Sequence, residues 1–223
     1  MKIIILILLA FCSFAKEPFS KSRLNKLSGE RKAKFDPKSE WDQKYSRSSF
    51  IYGKSPAKFL AENYDYISPG STILDMGMGE GRNAVFLAGK GHRVTGVDIS
   101  SVAIKKAQYL ARELGVKIKG VVASLEKYKI PKESYDAIVC FYYVDRTLVE
   151  KIKTWLKPGG VLIYEAHTLK ERSKRGHRKD PESYYLKEQE LLTMFKGFKL
   201  LKYEEPLHES KFRASIVLMK PKK

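Results

Sequence analysis

The sequence predicts an α/β protein with a doubly wound, mostly parallel sheet that ends in an antiparallel C-terminal hairpin. Short apolar runs alternate with helical periods between residues 72 and 166, a pattern typical of parallel strands joined by right-handed crossovers. Two β-rich runs near the end of the chain are separated by about seven residues, too few for a parallel connection. The length of 223 residues suits one domain with one good-sized core.

The first predicted element of the domain is an amphipathic helix over residues 55–66, with Ser55 as N-cap and Pro56 in the first turn. A turn at residues 68–70 follows. The predicted strands are TILDM, HRVTGVD, VKIKGVVA, YDAIVCFYY, GVLIYEA, FKLLKYEE and FRASIVLMK, and helices are expected at about residues 82–88, 101–114, 146–156 and 187–195. The segment LKPGG is predicted to be a turn between a helix and a strand.

The N-terminal segment differs in composition from the rest of the chain. Residues 1–15 contain an unbroken apolar run from Ile3 to Phe11, which suits a signal peptide better than a bilayer span of about 20 residues. Residues 16–38 form a predicted basic linker, and residues 39–223 form the folded domain. The leader favours export or membrane association, whereas the basic residues after it oppose translocation, so the compartment stays open.

The formal net charge of +18 would suit a polyanion or a membrane surface. More than half of the excess positive charge lies in residues 1–47 and 170–180, which have the composition of solvated segments. We therefore predict a small-molecule partner and no dedicated nucleic-acid site. Cys140 lies in an apolar run and is expected to be a buried hydrophobic side chain. No metal site is predicted, because the four histidines lack the spacing of metal ligands.

The stretch LDMGMGEGRN contains the residues that indicate a ligand site. Gly77, Gly79 and Gly81 follow the first predicted strand, where missing Cβ atoms permit positive φ angles and close approach of a ligand. Their spacing is tighter than the GxGxxG pattern of dinucleotide sites, which argues for a cofactor without a pyrophosphate. Asp75 precedes the loop and Asp98 ends the second strand, where a carboxylate can accept both ribose hydroxyls. A nucleoside without a diphosphate fits these features.

Other interpretations of these residues stay open. The glycine loop could belong to a nicotinamide-dependent reductase, or it could be only a tight turn. Asp98 could cap the following helix, although Ser100 and Ser101 could do so equally well. Trp41 and Tyr45 have i, i+4 spacing and could simply form the inner face of a helix.

Five separated segments, in this order, resemble the class I S-adenosylmethionine-dependent methyltransferases, and within them the group similar to tellurite-resistance methyltransferases. The resemblance covers about residues 40–220. It implies a Rossmann-like, seven-stranded sheet with a reversed C-terminal hairpin. The matching segments are ILDMGMGEGRNAVFLA, GHRVTGVDIS, YDAIVCFYYVDR, WLKPGGVLIYEAHT, and YEEP followed by RASIVLMK.

The resemblance implies a role for each residue around S-adenosyl-L-methionine. Asp75 would take the ammonium group, Asp98 the ribose, and Ile99 would lie against the adenine. Ser124 stands where the family often has an acidic residue that accepts from the adenine amino group, and a hydroxyl accepts more weakly. The complete set implied for the cofactor is Trp41 and Tyr45 as an N-terminal lid, Asp75, Gly77, Gly79, Gly81, Asp98, Ile99, Ser124, Leu125, and Phe141 in the methyl-transfer pocket.

The acceptor side is expected near the ends of the fourth and fifth strands. Tyr142, Tyr143 and His167 are the candidate catalytic residues, and Asp145, Arg146 and Tyr52 are further candidates for contact with the acceptor. A sulfonium methyl group is already electrophilic, so a general base is required only where the acceptor must lose a proton. The fourth strand is followed by CFYYVD rather than by the Asn/Asp-Pro-Pro-aromatic pattern of enzymes that methylate amino groups.

We therefore predict a monomeric S-adenosylmethionine-dependent methyltransferase that acts on a small-molecule acceptor of the thiol or metalloid type by direct in-line displacement. Two alternatives remain at this stage. The positive charge could attract an RNA or protein substrate, or the domain could bind the cofactor without catalysis. Membrane association through the leader also remains open.

Overall fold

The computed structural model describes residues 36–174, 180–206 and 212–222. The predicted leader and nearly all of the predicted basic linker lie outside the described residues, as does part of the basic tract at 170–180. Residues Pro37–Lys223 belong to one compact unit. No helix within the described ranges is long and apolar enough to cross a membrane.

The described residues form a seven-stranded sheet in the order β3-β2-β1-β4-β5-β7-β6. Strands β1 to β5 are parallel to one another, whereas β7 is antiparallel to both β5 and β6. This arrangement confirms the predicted fold class, including the reversed C-terminal hairpin. The strands are β1 (Thr72–Met76), β2 (Arg93–Asp98), β3 (Lys119–Val122), β4 (Tyr135–Phe141), β5 (Leu156–His167), β6 (Lys199–Glu204) and β7 (Arg213–Met219).

The helices lie between these strands and before them. They are α1 (Pro37–Tyr45), α2 (Lys58–Asn63), α3 (Arg82–Gly89), α4 (Ser101–Glu113), α5 (Val149–Trp155), α6 (Leu169–Lys174) and α7 (Glu190–Met194), with 3-10 turns at Tyr64–Tyr66, Arg146–Leu148 and Glu182–Tyr184. Helix α1 begins at Pro37, inside the segment predicted as linker, because proline suits the first turn of a helix.

The predicted start of the helix at residues 55–66 is wrong. Helix α2 begins at Lys58 after an N-cap at Ala57, and no side chain caps it. The amide of Ala57 instead donates to the side-chain oxygen of Asn83, at 2.9 Å, so a residue of helix α3 satisfies this buried donor. The start of the helix is therefore set by the contact between Ala57 and Asn83, 26 positions apart, and not by the local capping signal at Ser55.

The LKPGG segment lies within the bounds of β5 but interrupts its pairing with β4. Leu156 pairs with Tyr135, and the next pair is Val161 with Ala137, so residues 157–160 form an irregularity between the two pairs. Gly159 has a φ of 76°, as the predicted turn requires.

Two apolar clusters enclose the sheet. Leu74, Met76 and Cys140 belong to one cluster, and Ile73 and Phe141 belong to the other. Since neighbouring residues of a strand face opposite sides of a sheet, β1 and β4 contribute to both clusters. Burial on both sides fixes these two strands, and their carboxyl ends present the glycine loop and the residues after Phe141 next to each other.

Candidate functional site

The glycine loop connects β1 to α3 and has a left-handed backbone at three positions. The φ angles of Gly77, Gly79 and Gly81 are 64°, 57° and 85°. A Cβ on Gly81 would lie 2.6 Å from the Cβ of Ala107, which shows that helices α3 and α4 pack too closely for any side chain there. Gly81 therefore serves helix packing as well as the turn.

Two tyrosines cover the other glycines of the loop. A Cβ on Gly77 would lie 3.1 Å from Tyr143, and one on Gly79 would lie 2.9 Å from the hydroxyl oxygen of Tyr45. The chain's own aromatic side chains therefore lie against this backbone. The missing Cβ atoms of Gly77 and Gly79, which we predicted would make room for a ligand, make room in the structure for Tyr143 and Tyr45.

Asp75 is a buried carboxyl at the end of β1. The residue is only 2% exposed, and its Oδ2 atom has no hydrogen-bond partner among the described residues. Burial, with a further contribution from the charge of Asp98, raises the pKa of Asp75 to about 8. An unpartnered buried oxygen costs folding free energy, so this carboxyl is suited to a cationic ligand.

Asp98 ends β2 and ties that strand to the glycine loop. Its Oδ2 accepts from the amide of Gly79 and its Oδ1 from the amide of Ser100, both at 2.8 Å. Burial raises the pKa of Asp98. The N-cap of α4 is Ser100, whose side chain accepts from the amide of Ala103, so the capping role considered for Asp98 belongs to the serine.

Helix α1 packs on the start of α4, beside Asp98. Asp42 accepts from the hydroxyl of Ser100 at 2.6 Å and from the amide of Val102 at 3.2 Å. Trp41 stacks on Tyr45 with a distance of 5.6 Å between ring centroids. Tyr45 is buried whereas Trp41 is half-buried, so the two predicted lid residues lie together at the glycine loop.

A second contact between the N-terminal segment and the loop was missed by sequence reasoning. Glu80, inside the glycine loop, pairs with Lys106 at 2.7 Å and accepts from the amide of Ile51. Lys106 also donates to the backbone oxygens of Arg47 and Ser49. A charged pair between residues 26 positions apart leaves no local signal in the sequence.

The side predicted to hold adenine is formed by residues at the ends of β2 and β3. Ile99 and Ser124 are half-buried. The backbone oxygen of Ser124 accepts from the amides of Lys127 and Tyr128, so this residue begins a turn. Leu125 is buried and belongs to the apolar cluster that contains Leu74, which gives its side chain a packing role.

The predicted acceptor residues Tyr142 and His167 lie together beyond β4 and β5. Their rings stack with centroids 4.9 Å apart. Tyr142 has a φ of 61°, which is rare for an aromatic residue and marks a strained position. Its hydroxyl donates to Glu165, and burial followed by the charge of this carboxylate raises the pKa of Tyr142 to about 12.

Glu165 is a buried residue of this site that the sequence analysis did not identify. Its Oε2 accepts from the hydroxyl of Ser215 at 2.8 Å, and its Oε1 lies 3.5 Å from Nη1 of Arg213. The same nitrogen of Arg213 donates to the hydroxyl of Tyr142 at 2.9 Å. A glutamate within the apolar run VLIYEA was the signal available in the sequence.

The remaining acceptor candidates have structural contacts. Tyr143 packs on Gly77, and its hydroxyl lies 3.3 Å from Asp145, which also caps the 3-10 turn at Arg146–Leu148. Arg146 binds Glu190 and the backbone oxygens of residues 183 and 185. Phe141 is 6% exposed and packs in the core. Cys140 is fully buried, and burial raises the pKa of its thiol, in agreement with its predicted packing role.

Residues 73–160 match a family model described as a methyltransferase domain. The central part of the chain is therefore similar to a methyltransferase domain. The curated relatives include a ubiquinone biosynthesis O-methyltransferase from Rickettsia canadensis, 34% identical over 111 residues that cover 47% of this chain and 45% of that protein. The chain thus spans about half the length of the curated relatives that it matches.

Solved structures of methyltransferases share the fold of this chain. A SAM-dependent methyltransferase from Methanosarcina mazei aligns with a TM-score of 0.62 at 22% identity, over 76% of this chain and 100% of that one. TehB from Haemophilus influenzae aligns with a TM-score of 0.60 at 19% identity, over 82% of this chain and 66% of that one. The fold is that of the class I S-adenosylmethionine-dependent methyltransferases.

S-adenosyl-L-methionine is therefore the expected cofactor, and the described residues around the glycine loop fit it. The cofactor has an ammonium group for the unpartnered oxygen of Asp75. It also has ribose hydroxyls that can donate to the remaining lone pairs of Asp98. The start of α3 at Arg82 favours a carboxylate. The ammonium, ribose and carboxylate groups of the cofactor thus each have a protein group of the matching kind.

Proposed function

We propose that this protein is an S-adenosylmethionine-dependent methyltransferase that acts on a small-molecule acceptor. The observation that carries the proposal is the buried carboxyl of Asp75, with an oxygen that finds no partner among the described residues, beside a left-handed glycine loop. A fold that needed this loop only as a turn would have no use for an unsatisfied carboxyl there. A cation bound at Asp75 removes this cost.

The cofactor supplies a methyl group on a positively charged sulfur, and the chain supplies its binding and the exclusion of water. Asp75 and Asp98 would hold the ammonium group and the ribose. Tyr45 and Trp41 would cover this end of the site, because helix α1 already lies on the glycine loop. In-line displacement depends on holding the acceptor in line with the sulfur–methyl bond more than on a strong base. The residues named here would hold the cofactor in place for this reaction.

For the acceptor we propose a soft nucleophile, a thiol or a metalloid oxyanion. A thiolate or an oxyanion has a lone pair and no proton to remove. This suits a site where the hydroxyl of Tyr142 donates to Glu165 and is not held as a base. The methyl group bonds to this lone pair while the sulfur–carbon electron pair stays on the departing sulfur. The O-methyltransferase relatives favour a second candidate, a phenolic oxygen, which would require His167 or another base to take the proton.

Titration calorimetry with S-adenosylmethionine tests the cofactor assignment. We expect the wild-type protein to bind it and Asp98→Ala to bind it about 100-fold more weakly, because two charge-assisted hydrogen bonds are lost. Asp65→Ala is the matched control, since Asp65 is exposed on the 3-10 turn at Tyr64–Tyr66. Equal affinity of the Asp98 variant and the wild type would contradict the proposal.

A methyl-transfer assay then separates the acceptor classes. The panel contains thiophenol, selenite and catechol as a thiol, a metalloid oxyanion and a phenol. We expect turnover of the first two to exceed that of catechol. Preference for catechol, with a rate that rises as a base of pKa near neutrality ionises, would replace the thiol or metalloid proposal with O-methylation.

A further inference from the structure

We propose that Arg213 recognises a carboxylate on the acceptor, so that the natural substrate class is a carboxylate-bearing thiol. The inference rests on the proposed function and adds to it a specificity-determining residue. Its basis is the cluster formed by Arg213, Tyr142, Glu165 and His167, which the cofactor does not need for any of its own polar groups.

The order of the strands puts Arg213 on the acceptor side. The two carboxylates assigned to the cofactor lie on β1 and β2, whereas Arg213 begins β7, three positions from β1 in the order β1-β4-β5-β7. Strands are spaced by about 4.8 Å, so the Cα atom of Arg213 is on the order of 14 Å from β1. Arg213 pairs with His167 across β5 and β7, which places it at the stacked pair of rings.

The guanidinium of Arg213 keeps donors for a ligand. Among the described residues, its contacts to the hydroxyl of Tyr142 and to Glu165 both use Nη1, and the one to the carboxylate is long at 3.5 Å. The side chain is 37% exposed although Glu165 beneath it is buried. A guanidinium offers five N–H donors in a planar fork, and a carboxylate matches two of them side by side.

The local charge also favours an anion. Arg82 and Arg213 have their guanidinium carbons 5.5 and 5.8 Å from the centroid of the same ring, that of Tyr142. Glu165 balances one of these two positive charges. The N-terminus of α3 is available for the carboxylate of the cofactor, which leaves the positive charge beside Tyr142 for an anionic group of the acceptor.

Glu165 acts as a positioning residue for this arginine. It holds Tyr142 through the phenolic hydroxyl and is itself held by Ser215, so the tyrosine ring and the guanidinium have one fixed arrangement. The strained backbone of Tyr142 is maintained by the same contacts. A carboxylate on Arg213 therefore lies at a defined distance from the end of β4, and the thiol of the same molecule can point toward the glycine loop.

Calorimetry on the full chain saturated with S-adenosylhomocysteine tests this inference without turnover. The two ligands are 4-mercaptobenzoate and thiophenol, which differ by the carboxylate, and selenite is the inorganic oxyanion. We expect 4-mercaptobenzoate to bind the wild-type protein about 10- to 100-fold more tightly than thiophenol, the range for charge-assisted hydrogen bonds. Equal affinities for this pair would overturn the inference, whatever any variant does.

Variants locate the effect. We expect Arg213→Gln to bring the two thiols to within about 3-fold of each other, and Arg213→Lys to keep part of the preference because the charge remains. Arg93→Gln, an exposed arginine at the start of β2, is the matched control and should leave the preference unchanged. A preference that survives Arg213→Gln, or tight binding of selenite with no preference for the carboxylate, would also overturn the inference.

The cofactor titration distinguishes failure of the carboxylate inference from failure of the proposed function. If S-adenosylhomocysteine binds and 4-mercaptobenzoate shows no advantage, the carboxylate inference fails while the methyltransferase proposal stands. If neither S-adenosylmethionine nor S-adenosylhomocysteine binds, the proposed function fails and the inference fails with it. Thermal unfolding of Arg213→Gln and Arg213→Lys shows whether each variant is folded at the temperature of the titration.

Discussion

The two halves of the site each contain a buried carboxyl, and their surroundings are opposite. On the cofactor side, Asp75 has an oxygen without a partner among the described residues. On the acceptor side, Glu165 is bound by Tyr142, Ser215 and Arg213. The comparison teaches that burial of a carboxyl does not by itself indicate a ligand. The first group lacks a partner for one of its oxygens within the part of the chain that the structure describes, whereas the second organises the side chains around it.

The backbones of the two halves differ in a related way. The cofactor side uses three glycines to adopt positive φ angles without strain. The acceptor side has Tyr142 at a positive φ, which an aromatic residue adopts only where other contacts maintain it. The first half is thus formed by a short local segment. The second depends on residues from three strands.

The largest effect on stability is expected at Gly81, because a side chain there would remove the unstrained backbone that distinguishes the cofactor side from the acceptor side. Gly81→Ala should lower the free energy of unfolding by about 3–5 kcal/mol, because backbone strain adds to a clash with Ala107. Gly91→Ala is the matched control, with a φ of 87° and no atom near the new methyl group, and should cost about 1–2 kcal/mol. Urea unfolding measures both. Equal losses would show that close packing of α3 on α4 does not matter.

Neutralising the acceptor-side carboxyl should also destabilise the protein. Glu165→Gln replaces an acceptor oxygen by an amide donor that faces a hydroxyl, and we expect a loss of about 2–3 kcal/mol in urea unfolding. Tyr142→Phe, which removes one donor and keeps the ring, should cost about 1 kcal/mol. If Glu165→Gln left stability unchanged, the network would not organise this half of the site.

Replacing Asp75, the carboxyl on the cofactor side, by a neutral residue should instead raise the free energy of unfolding. The pKa of Asp75 is raised from 3.8 to about 8, so the folded state holds a proton that the unfolded state releases between about pH 4 and pH 8. Stability contributed by this group therefore falls as the pH rises through that window. Asp75→Asn removes the dependence and should gain about 1–3 kcal/mol near neutral pH, with the gain shrinking toward pH 4.

Urea unfolding of the wild type and Asp75→Asn at several pH values measures this difference. The same variant should bind S-adenosylmethionine more weakly, since an amide does not attract an ammonium group. A variant that is less stable than the wild type at every pH would show that Asp75 is satisfied within the folded chain.

The smallest effect is expected where helix α1 meets α4. Asp42→Asn weakens the contacts to Ser100 and Val102, and a loss of about 0.5–1.5 kcal/mol is expected by analogy with helix capping. Hydrogen bonds from Lys38 and Ser100 lower the pKa of Asp42, so its contribution is present above pH 4 and declines as the pH falls below it. Lys58→Ala, which removes an exposed pair with Glu62, is the control and should change stability less.

The spacing of residues along the chain determines the arrangement of one half of this candidate site and not of the other. Asp75, the glycines and Asp98 lie within a single β-α-β unit, where spacing along the chain determines spatial arrangement. Glu165, Ser215 and Arg213 meet only because β7 inserts antiparallel beside β5. Their pairing depends on sheet order and register, which local patterns do not encode, so the acceptor side was predicted from strand ends alone.

The elements of the fold show the same limit. Strand β1 has the predicted bounds because its apolar run is buried on both faces. Helix α2 starts later than predicted because the amide of Ala57 binds a side chain of α3. The pair Glu80–Lys106 had no sequence signal at all. Regular elements follow from nearby residues, whereas caps and ion pairs between distant segments follow from the assembled fold.

The position of Trp41, stacked on Tyr45, allows intrinsic tryptophan fluorescence to report on this part of the protein. The chain has two tryptophans, and Trp155 is sealed in the core at 4% exposure. Trp41 is half-buried on helix α1, with the ammonium of Lys44 4.4 Å from its ring centroid. Trp155→Phe would leave Trp41 as the single tryptophan, so that changes in tryptophan fluorescence on adding a ligand would report on helix α1 beside the glycine loop.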